Sequence, residues 1–331
     1  MSMSARDNLL ETIRGGKPER YVNQHEFYEL PFCDPLCLIN PSPMFPGDAD
    51  VRDMWGITWS WPAGSPGPFP LHGEGLTAIT DITKWKEQIQ MPPLEYTDEI
   101  WTKTKEGYAK IDRTEKLAAI MFFPGLFEFC HCLMGMEEAM LALYEEPECM
   151  HELIEYQVKW EMEYITQLCT HVHPDMLIQS DDWGSSLSTF LSPAMFEEFF
   201  LEPYKKLYAC CRENGIQILL HHSDTYAETL VPYMLEMGID IWQGALTTND
   251  IKGILERTEG RLTIMGGIEN TRIDQEGISE EQIEAEVRKR CEMYGTKNYI
   301  PCMTAGGAGS AYPGVYETVT RVIDTISGEI F

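Results

Sequence analysis

The segment 217–226, with the sequence QILLHHSDTY, places two histidines, a serine and an aspartate directly after an apolar run. The apolar run is typical of a buried strand, and alternate residues of a strand project to the same side. His222 and Asp224 therefore project together if the extended geometry persists, whereas His221 points the opposite way. Together with the thiol of Cys302, from a later predicted strand, they could hold a Zn²⁺ ion with one position open for substrate.

Simpler roles for these residues remain open at this point. A His–Asp pair at a strand end can be only a hydrogen-bonded pair, and Cys302, one of ten cysteines, can be a core residue. If a metal ion is bound, His221 and Glu26 are both candidates for its fourth ligand.

Two consecutive aspartates, Asp181 and Asp182, end another apolar run, DMLIQSDD. They could act as an acid–base pair or hold a substrate hydroxyl, so we assign both as candidate catalytic residues, with Asp182 preferred. The alternative role is a helix N-cap beside a solvated acid, because a helix is predicted shortly afterwards.

Aromatic and polar side chains at the other predicted strand ends could enclose a flat ligand. The same aromatic residues could instead be part of the core packing. The candidate substrate-binding residues are Tyr28, Phe122, Phe123, Trp183, Trp242, Gln243 and Glu269.

All these residues follow strands that alternate with helices from about residue 116 onwards, which predicts βα units and a parallel sheet. Two further strands near the N-terminus bring the number to eight, and eight βα units favour a closed (β/α)8 TIM barrel. Active sites of such barrels lie at the C-terminal ends of the strands, where the candidates fall. The predicted strands are 21–28, 53–61, 116–123, 175–181, 216–222, 239–245, 262–267 and 297–303.

The remaining elements complete a single domain over residues 1–331. An amphipathic helix is predicted over 5–14 and a long helical tract over 136–171. The Pro- and Gly-rich stretch 31–75 is predicted to be an extended insertion that caps a pocket. The stretch FCHC, within a predicted helical tract, places its cysteines and histidine on different faces, so we assign it to the core rather than to a metal site.

Composition narrows the classes of function. The net charge of −28 disfavours nucleic-acid and membrane partners, because phosphate groups would be repelled. The N-terminus resembles no secretion signal and no 18-residue apolar run occurs, so we expect a cytoplasmic protein with its cysteines as free thiols. The stretch MGGIEN lacks the glycine spacing of a dinucleotide-binding loop.

Several segments resemble the uroporphyrinogen decarboxylase superfamily, and within it the corrinoid-linked methyltransferases. They are RDNLLETIRGGKPERY, FFPGLFEFCHCLMGMEEAMLALYEEPECMHELI, SDDWGSSLSTFLSPAMFEEFFLEPYKKL, LHHSDTYAETLVPYMLEMGIDIWQGA and IPCMTAGG. The resemblance covers nearly the whole chain and implies an eight-stranded barrel. The decarboxylases hold an octa-anionic porphyrinogen with N-terminal basic residues, but the corresponding YVNQHEFYEL contains no arginine.

In the methyltransferases, zinc is bound by a His-x-Cys motif after strand five and a cysteine on strand eight. The resemblance therefore implies zinc ligands at His222 and Cys302, with Asp224 in place of the first cysteine. A carboxylate in place of a thiolate leaves a harder ion that suits an ether oxygen. The resemblance thus favours transfer of a methyl group from a methoxylated, aromatic compound to Co(I) of a separate corrinoid protein.

Three other functions remain as alternatives to this reading. The first is a methylcobamide:thiol methyltransferase of the coenzyme M type. The second is decarboxylation of a smaller acid, for which Arg272 is the candidate cation. The third is a non-catalytic ligand-binding barrel that has lost its metal ion.

Overall fold

Seven parallel strands form one sheet, in which each strand pairs with the next along the chain. The computed structural model describes residues 3–42, 47–48, 50–63, 65, 67–307, 309 and 311–331. Six of the seven strands lie where the sequence predicts them; these correspond to the six predicted strands that begin with 116–123 and end with 297–303. The strands are β1 (Tyr28–Glu29), β5 (Leu117–Phe122), β6 (Met176–Ser180), β7 (Ile218–His222), β8 (Ile241–Ala245), β9 (Thr263–Ile268) and β10 (Tyr299–Met303).

One face of this sheet is turned inward around a single buried cluster. Alternate residues of the strands contribute to it, as the two-residue period of a strand requires. The sheet is therefore curled like the wall of a barrel, and Leu9 of the first helix packs against the cluster. The strand residues in the cluster are Leu117, Ala119, Met176, Ile178, Ile218, Leu220, Ile241, Met265, Ile300 and Cys302.

The predicted strand 53–61 is not a barrel strand, and this part of the prediction is wrong. Three short strands, β2 (Val51–Arg52), β3 (Thr58–Ser60) and β4 (Phe69–Leu71), pair antiparallel in a separate sheet. The reason is local, since the turns between them are too short for the crossover that a parallel pair needs.

The predicted strand 21–28 is reduced to the two residues of β1. Gln24 adopts a φ of 51°, which a strand does not allow. Its amide side chain instead donates to Thr320 Oγ1 at 2.8 Å and accepts from the Met303 amide at 3.4 Å. In the described part of the chain no backbone ladder joins β10 to β1, and the Gln24 side chain links the residues before β1 to Met303 of β10.

Helices flank the sheet, and the predicted tract 136–171 is two helices because Pro147 begins a new one. No helix in the described ranges has both the length and the apolar character needed to cross a membrane. The helices are α1 (Ala5–Ile13), α2 (Pro35–Ile39), α3 (Trp85–Gln88), α4 (Asp98–Tyr108), α5 (Leu126–Met134), α6 (Met136–Glu145), α7 (Pro147–Val172), α8 (Pro193–Phe196), α9 (Glu202–Glu213), α10 (Val231–Met237), α11 (Ile251–Thr258), α12 (Asn270–Ile273), α13 (Glu280–Tyr294) and α14 (Val315–Ile330).

The insertion 31–75 packs against one side of the barrel wall. Positions 43–46, 49, 64 and 66 of it lie outside the described residues. The Leu36 amide donates to the Tyr164 hydroxyl of α7 at 3.0 Å, and the Trp59 and Phe123 rings lie 5.6 Å apart. The insertion is therefore fixed to α7 and to the end of β5.

We predict that Ile241→Ala will lower the free energy of unfolding by about 2–5 kcal/mol, because it leaves a cavity in the inner cluster. Ile241 is fully buried there. Urea unfolding followed by circular dichroism measures the change, with the exposed Lys252→Ala as control. Equal losses for the two variants would contradict the inward-facing position of Ile241.

Candidate functional site

The ends of β6 and β7 bring two aspartates and a histidine together. Ser180 pairs with His222 in the parallel register, so the chain leaves both strands side by side. The Asp224 amide then donates to Asp182 Oδ1 at 3.1 Å. One ligand atom from each of Asp182, His222 and Asp224 lies within 4.8 Å of the others. We call these three residues the triad.

The imidazole of His222 is oriented by Gln243 on β8. Gln243 Nε2 donates to the Thr304 carbonyl at 3.3 Å, so its Oε1 faces His222 Nδ1 and accepts from it. His222 Nδ1 therefore carries the proton and Nε2 keeps a free lone pair. A histidine fixed through one nitrogen in this way is the usual arrangement of a metal ligand.

The turn that carries Asp224 is held rigidly by buried bonds. The Ser223 amide donates to the Gln243 carbonyl at 2.9 Å, and Trp242 Nε1 donates to the Ser223 carbonyl at 3.0 Å. Gly244 lets β8 approach this turn: a Cβ at that position would lie 2.9 Å from Asp224 Cα. The position of Asp224 therefore depends on a glycine that follows Gln243.

The triad lies in an excess of negative charge. Burial and the neighbouring Asp182 carboxylate raise the pKa of Asp224 to about 7. Burial, followed by Asp182 and Asp181, raises the pKa of Glu128 well above its ordinary value, and Glu128 Oε2 has no hydrogen-bond partner in the described structure. A bound cation would stabilise these groups in their charged forms.

Asp181 is fully buried and has a different role from Asp182. Its carboxylate accepts from the Phe127 amide at 3.0 Å, the Glu128 amide at 2.7 Å and Trp183 Nε1 at 2.9 Å. The Tyr204 hydroxyl donates to it as well. Burial raises the pKa of Asp181 to about 6 despite these four bonds. Asp181 thus caps the N-terminus of α5.

A cavity of about 350 Å³ lies at the C-terminal ends of the barrel strands, and we call it the barrel cavity. Of the triad, His222 lines it, so the triad stands at its edge. Its walls combine aromatic, aliphatic and small polar side chains, and none of the described lining residues is a lysine or an arginine. They are His25, Tyr28, Met121, Ile178, Ser180, Leu220, His222, Gln243, Gly306, Gly307 and Tyr316.

Cys302 does not belong to the triad, although the sequence places it among the metal ligands. Its Sγ lies 3.8 Å from His25 Nε2, and burial raises the pKa of the thiol. Burial and the nearby His222 lower the pKa of His25 to about 4, so this imidazole is neutral near pH 7. His25 and Cys302 therefore form a second pair of nitrogen and sulfur donors beside the barrel cavity.

The two candidates for a fourth ligand make other contacts. The ring of His221 is buried between Tyr208, whose hydroxyl lies 3.0 Å from Nδ1, and the Asp181 carbonyl. Glu26 accepts from the Asn23 amide at 2.8 Å and pairs with Arg20. Neither side chain lies in the triad.

The candidate substrate-binding residues are divided among several places. Tyr28 and Gln243 line the barrel cavity. Trp183 and Trp242 are almost fully buried and their indole N–H groups are bonded within the protein, so they support the site from behind. Glu269 accepts from the Thr247 amide at 2.7 Å and pairs with Arg272. Phe122 and Phe123 line a different cavity, described below.

Three residues near the site were not among the sequence-based candidates. Glu128 lies in the first turn of α5. The sequence feature that could have identified it is the Pro124–Gly125 pair, which ends the preceding strand and so places Glu128 near the strand end. His25 stands beside the predicted end of strand one, which was its only signal. Tyr316, whose hydroxyl lies 3.2 Å from His25 Nδ1, comes from the last helix and had none.

The chemistry of the triad fits a divalent metal ion. Two carboxylates and an imidazole are zinc ligands, and such a set without thiolate is hard. Burial, followed by the nearby Asp182 carboxylate, raises the pKa of Asp224, and a bound cation would favour its charged form. Asp182, His222 and Asp224 are thus the described residues that would hold the ion.

Comparisons with known proteins point to one family. The model of the family described as uroporphyrinogen decarboxylase (URO-D) matches residues 56–326. A methyltransferase from Methanosarcina mazei has a similar structure, with a TM-score of 0.67, 10% identity and 99% of each chain covered, which shows a shared fold. A family 10 endo-β-1,4-xylanase from Gloeophyllum trabeum aligns with a TM-score of only 0.41, at 10% identity over 72% of this chain and 83% of that one. No curated protein matches the sequence.

The raised pKa of Asp224 predicts a pH-dependent stability. Its folded-state pKa of about 7 exceeds the ordinary value of about 4 in an unfolded chain, so the folded protein binds the extra proton. The stability of the metal-free protein should therefore fall as the pH rises from about 4 to 7. The Asp224→Asn variant should not show this fall. Its free energy of unfolding, relative to that of the wild type, should therefore rise by about 1–3 kcal/mol from pH 5 to pH 8.

Urea unfolding of both proteins at the two pH values, in the presence of a chelator, measures this gain. The exposed Glu256→Gln serves as the matched loss of one carboxylate. If the variant and the wild type differ in free energy of unfolding by the same amount at pH 5 and pH 8, folding does not raise the pKa of Asp224 and the prediction is contradicted.

Proposed function

Because this chain belongs to the uroporphyrinogen decarboxylase family, we propose that it is a zinc-dependent methyltransferase. In this proposal it moves a methyl group from an O-methyl compound, a methoxylated aromatic, to Co(I) of a separate corrinoid protein. The observation that carries the proposal is the triad of hard donors at the edge of the barrel cavity. The structural neighbour from Methanosarcina mazei is a methyltransferase, which adds support.

The charges around the cavity argue against the decarboxylase chemistry of the family. A porphyrinogen with eight carboxylates needs cationic partners, but none of the described lining residues of the barrel cavity is a lysine or an arginine. Arg272, the candidate cation for a smaller acid, is half exposed and pairs with Glu269 and Glu286. The described cavity therefore suits a neutral substrate better than an anionic one.

The triad would hold the zinc ion, which when bound supplies Lewis acidity toward the ether oxygen of the substrate. Gln243 keeps the proton of His222 on Nδ1, so that Nε2 is free to bind. The Asp224 amide holds the Asp182 carboxylate in place. These contacts preorganise the donors before a substrate arrives.

The remaining cavity walls suit a methoxylated aromatic ring. Tyr28 and Tyr316 provide aromatic surface and hydroxyl groups, while Ile178 and Leu220 provide apolar surface. A ring held between such walls would place its methyl group in one orientation. Orientation of this kind can contribute several orders of magnitude in rate.

The corrinoid partner would dock over the C-terminal ends of the barrel strands. The cavity is bordered there by Gly306 and Gly307, whose lack of side chains leaves room for a large cofactor. No described residue of the insertion 31–75 lines the barrel cavity, so the insertion would stand at the side of the docking face. The pocket that the insertion lines is instead the cavity beside Phe122 and Phe123.

Metal analysis tests the triad. Protein purified without a chelator should contain about one zinc ion per chain, and Asp182→Asn or His222→Ala should lose it, because each removes one of three donors. Glu256→Gln, which removes an exposed carboxylate of α11, is the control and should keep the zinc ion.

Cys302→Ser tests the ligand set expected from the family. We expect it to retain the metal ion, because Sγ lies beside His25 rather than in the triad. Loss of zinc in Cys302→Ser together with full zinc in Asp182→Asn would replace Asp182 by Cys302 as the third ligand.

Methyl transfer itself can be followed by the absorbance of cob(I)alamin. The wild type should convert cob(I)alamin to methylcobalamin with at least one compound of a methoxylated aromatic panel, and Asp182→Asn should be at least tenfold slower. In the presence of a chelator, the melting temperature of Asp182→Asn should differ little from that of the wild type, because Asp181 rather than Asp182 caps a helix. Demethylation of methylcobalamin by a thiol, with no reaction of the panel, would instead favour the methylcobamide:thiol methyltransferase.

A further inference from the structure

A second cavity, of about 160 Å³, adjoins the barrel cavity at Met121, near the end of β5. We call it the side cavity. Its walls come from three parts of the chain: the insertion with Cys37 and Trp55, the end of β5 with Phe122 and Phe123, and α7. An engineered cavity of about 150 Å³ is known to hold benzene, so this one has room for a molecule of several heavy atoms.

Two polar side chains of α7, Gln157 and Glu161, line this cavity. Gln157 and Glu161 are 3% and 2% exposed, and Gln157 Nε2 donates to Glu161 Oε1 at 2.8 Å. By the geometry of a hydrogen bond, Gln157 Oε1 and Glu161 Oε2 have no partner in the described structure, although the Gln179 amide of β6 is close enough to Glu161 to lower its pKa. Buried polar atoms of this kind are normally paired, so their position next to a cavity points to a ligand that donates hydrogen bonds.

Aromatic rings surround these two acceptors. Trp55 and Trp160 meet edge to face with ring centroids 5.6 Å apart, and Phe122, Phe123 and Phe129 complete the wall. Aromatic faces attract cations through their quadrupole, most strongly when water is excluded.

Charge favours the same kind of ligand. The described lining includes the carboxyl groups of Asp34 and Glu161 and no lysine or arginine, and the whole protein carries a net charge of −28. From the unpaired acceptors, the aromatic wall and this charge, we propose that the side cavity binds a small alkylammonium cation. Its N–H groups donate to Glu161 Oε2 and Gln157 Oε1, and its alkyl groups contact the rings.

Ionisation of Glu161 gives the proposal a measurable signature. Burial raises the pKa of Glu161 to about 8, so at pH 7 the empty protein holds this carboxyl mostly protonated. A cation stabilises the carboxylate, and its binding at pH 7 releases a proton. The other titratable groups that face Glu161 or the cavity are Asp181 after β6, Tyr208 and Cys211 on α9, and Asp34 and Cys37 of the insertion.

This site does not depend on the proposed methyl transfer. Asp182, His222 and Asp224 do not line the side cavity, and Met121 is the one described residue that lines both cavities. Binding at the side cavity can therefore be measured on the purified protein whether or not it transfers methyl groups.

Isothermal titration calorimetry at pH 7 with tert-butylammonium tests the proposal, with tert-butanol as the neutral analogue of the same shape. The wild type should bind the cation at least tenfold more tightly than the alcohol. It should also bind it more tightly than tetramethylammonium, which has no N–H group. Titrations in two buffers of different ionisation enthalpy should report proton release.

Glu161→Gln keeps the shape of the protonated side chain and should abolish both the preference for the cation and the proton release. Glu163→Gln, an exposed carboxylate of the same helix, should change neither, which separates the cavity from general attraction to an acidic surface. Trp55→Leu provides a second variant and should weaken the cation more than the alcohol. Equal affinity for cation and alcohol, no binding of either, or the same loss in Glu161→Gln and Glu163→Gln would each overturn the proposal.

Discussion

The carboxylate of Asp181 is the interaction on which the rest of the site depends. It accepts four hydrogen bonds, two from the first turn of α5, one from Trp183 and one from Tyr204 of α9. The end of β6 is thereby fixed to two helices at once. Gly125 is required for this approach, since a Cβ there would lie 2.3 Å from Asp181 Cβ. The next residue, Asp182, can then stand in the site because its neighbour supports the scaffold.

In the described part of the molecule, the buried carboxyl groups near the two cavities have no lysine or arginine partner, and this limits the states in which they can exist. Burial raises the pKa values of Glu128, Glu161 and Asp224, and no arginine or lysine lines either cavity in the described structure. Buried carboxyl groups without cationic partners must be protonated or must bind an external cation. In our proposals the triad and the side cavity each bind a cation. The triad suits a metal ion because its oxygen and nitrogen donors lie close together, and the side cavity suits an organic cation because its wall is aromatic.

The sequence predicted the parallel sheet from β5 onwards because each strand there is an apolar run followed by an amphipathic helix. It failed for 53–61, where a strand-like pattern belongs to a hairpin, since local alternation does not distinguish a barrel strand from an antiparallel pair. The same limit applies to the site. His222 and Asp224 share a strand end and could be placed together from the sequence alone. Glu128 and the pairing of His25 with Cys302 depend on how distant segments pack, which no local pattern encodes.

Asp224 stands where the resemblance to the corrinoid-linked methyltransferases implies a cysteine, and a carboxylate at this position affects more than one candidate ligand. With a cysteine at this position, Asp182 would be the one carboxylate of the triad. With Asp224, two carboxylates lie side by side, and their combined negative charge favours the binding of a cation. Cys302 remains a protonated thiol beside a neutral His25. Gln243 contacts His222 of the triad and is also a side-chain hydrogen-bond neighbour of the Cys302 thiol. A metal ion that prefers oxygen ligands would bind at the triad. An ion that prefers sulfur ligands would bind Cys302 only if that side chain moved away from His25. The hardness of the ion is therefore the property that selects its ligands.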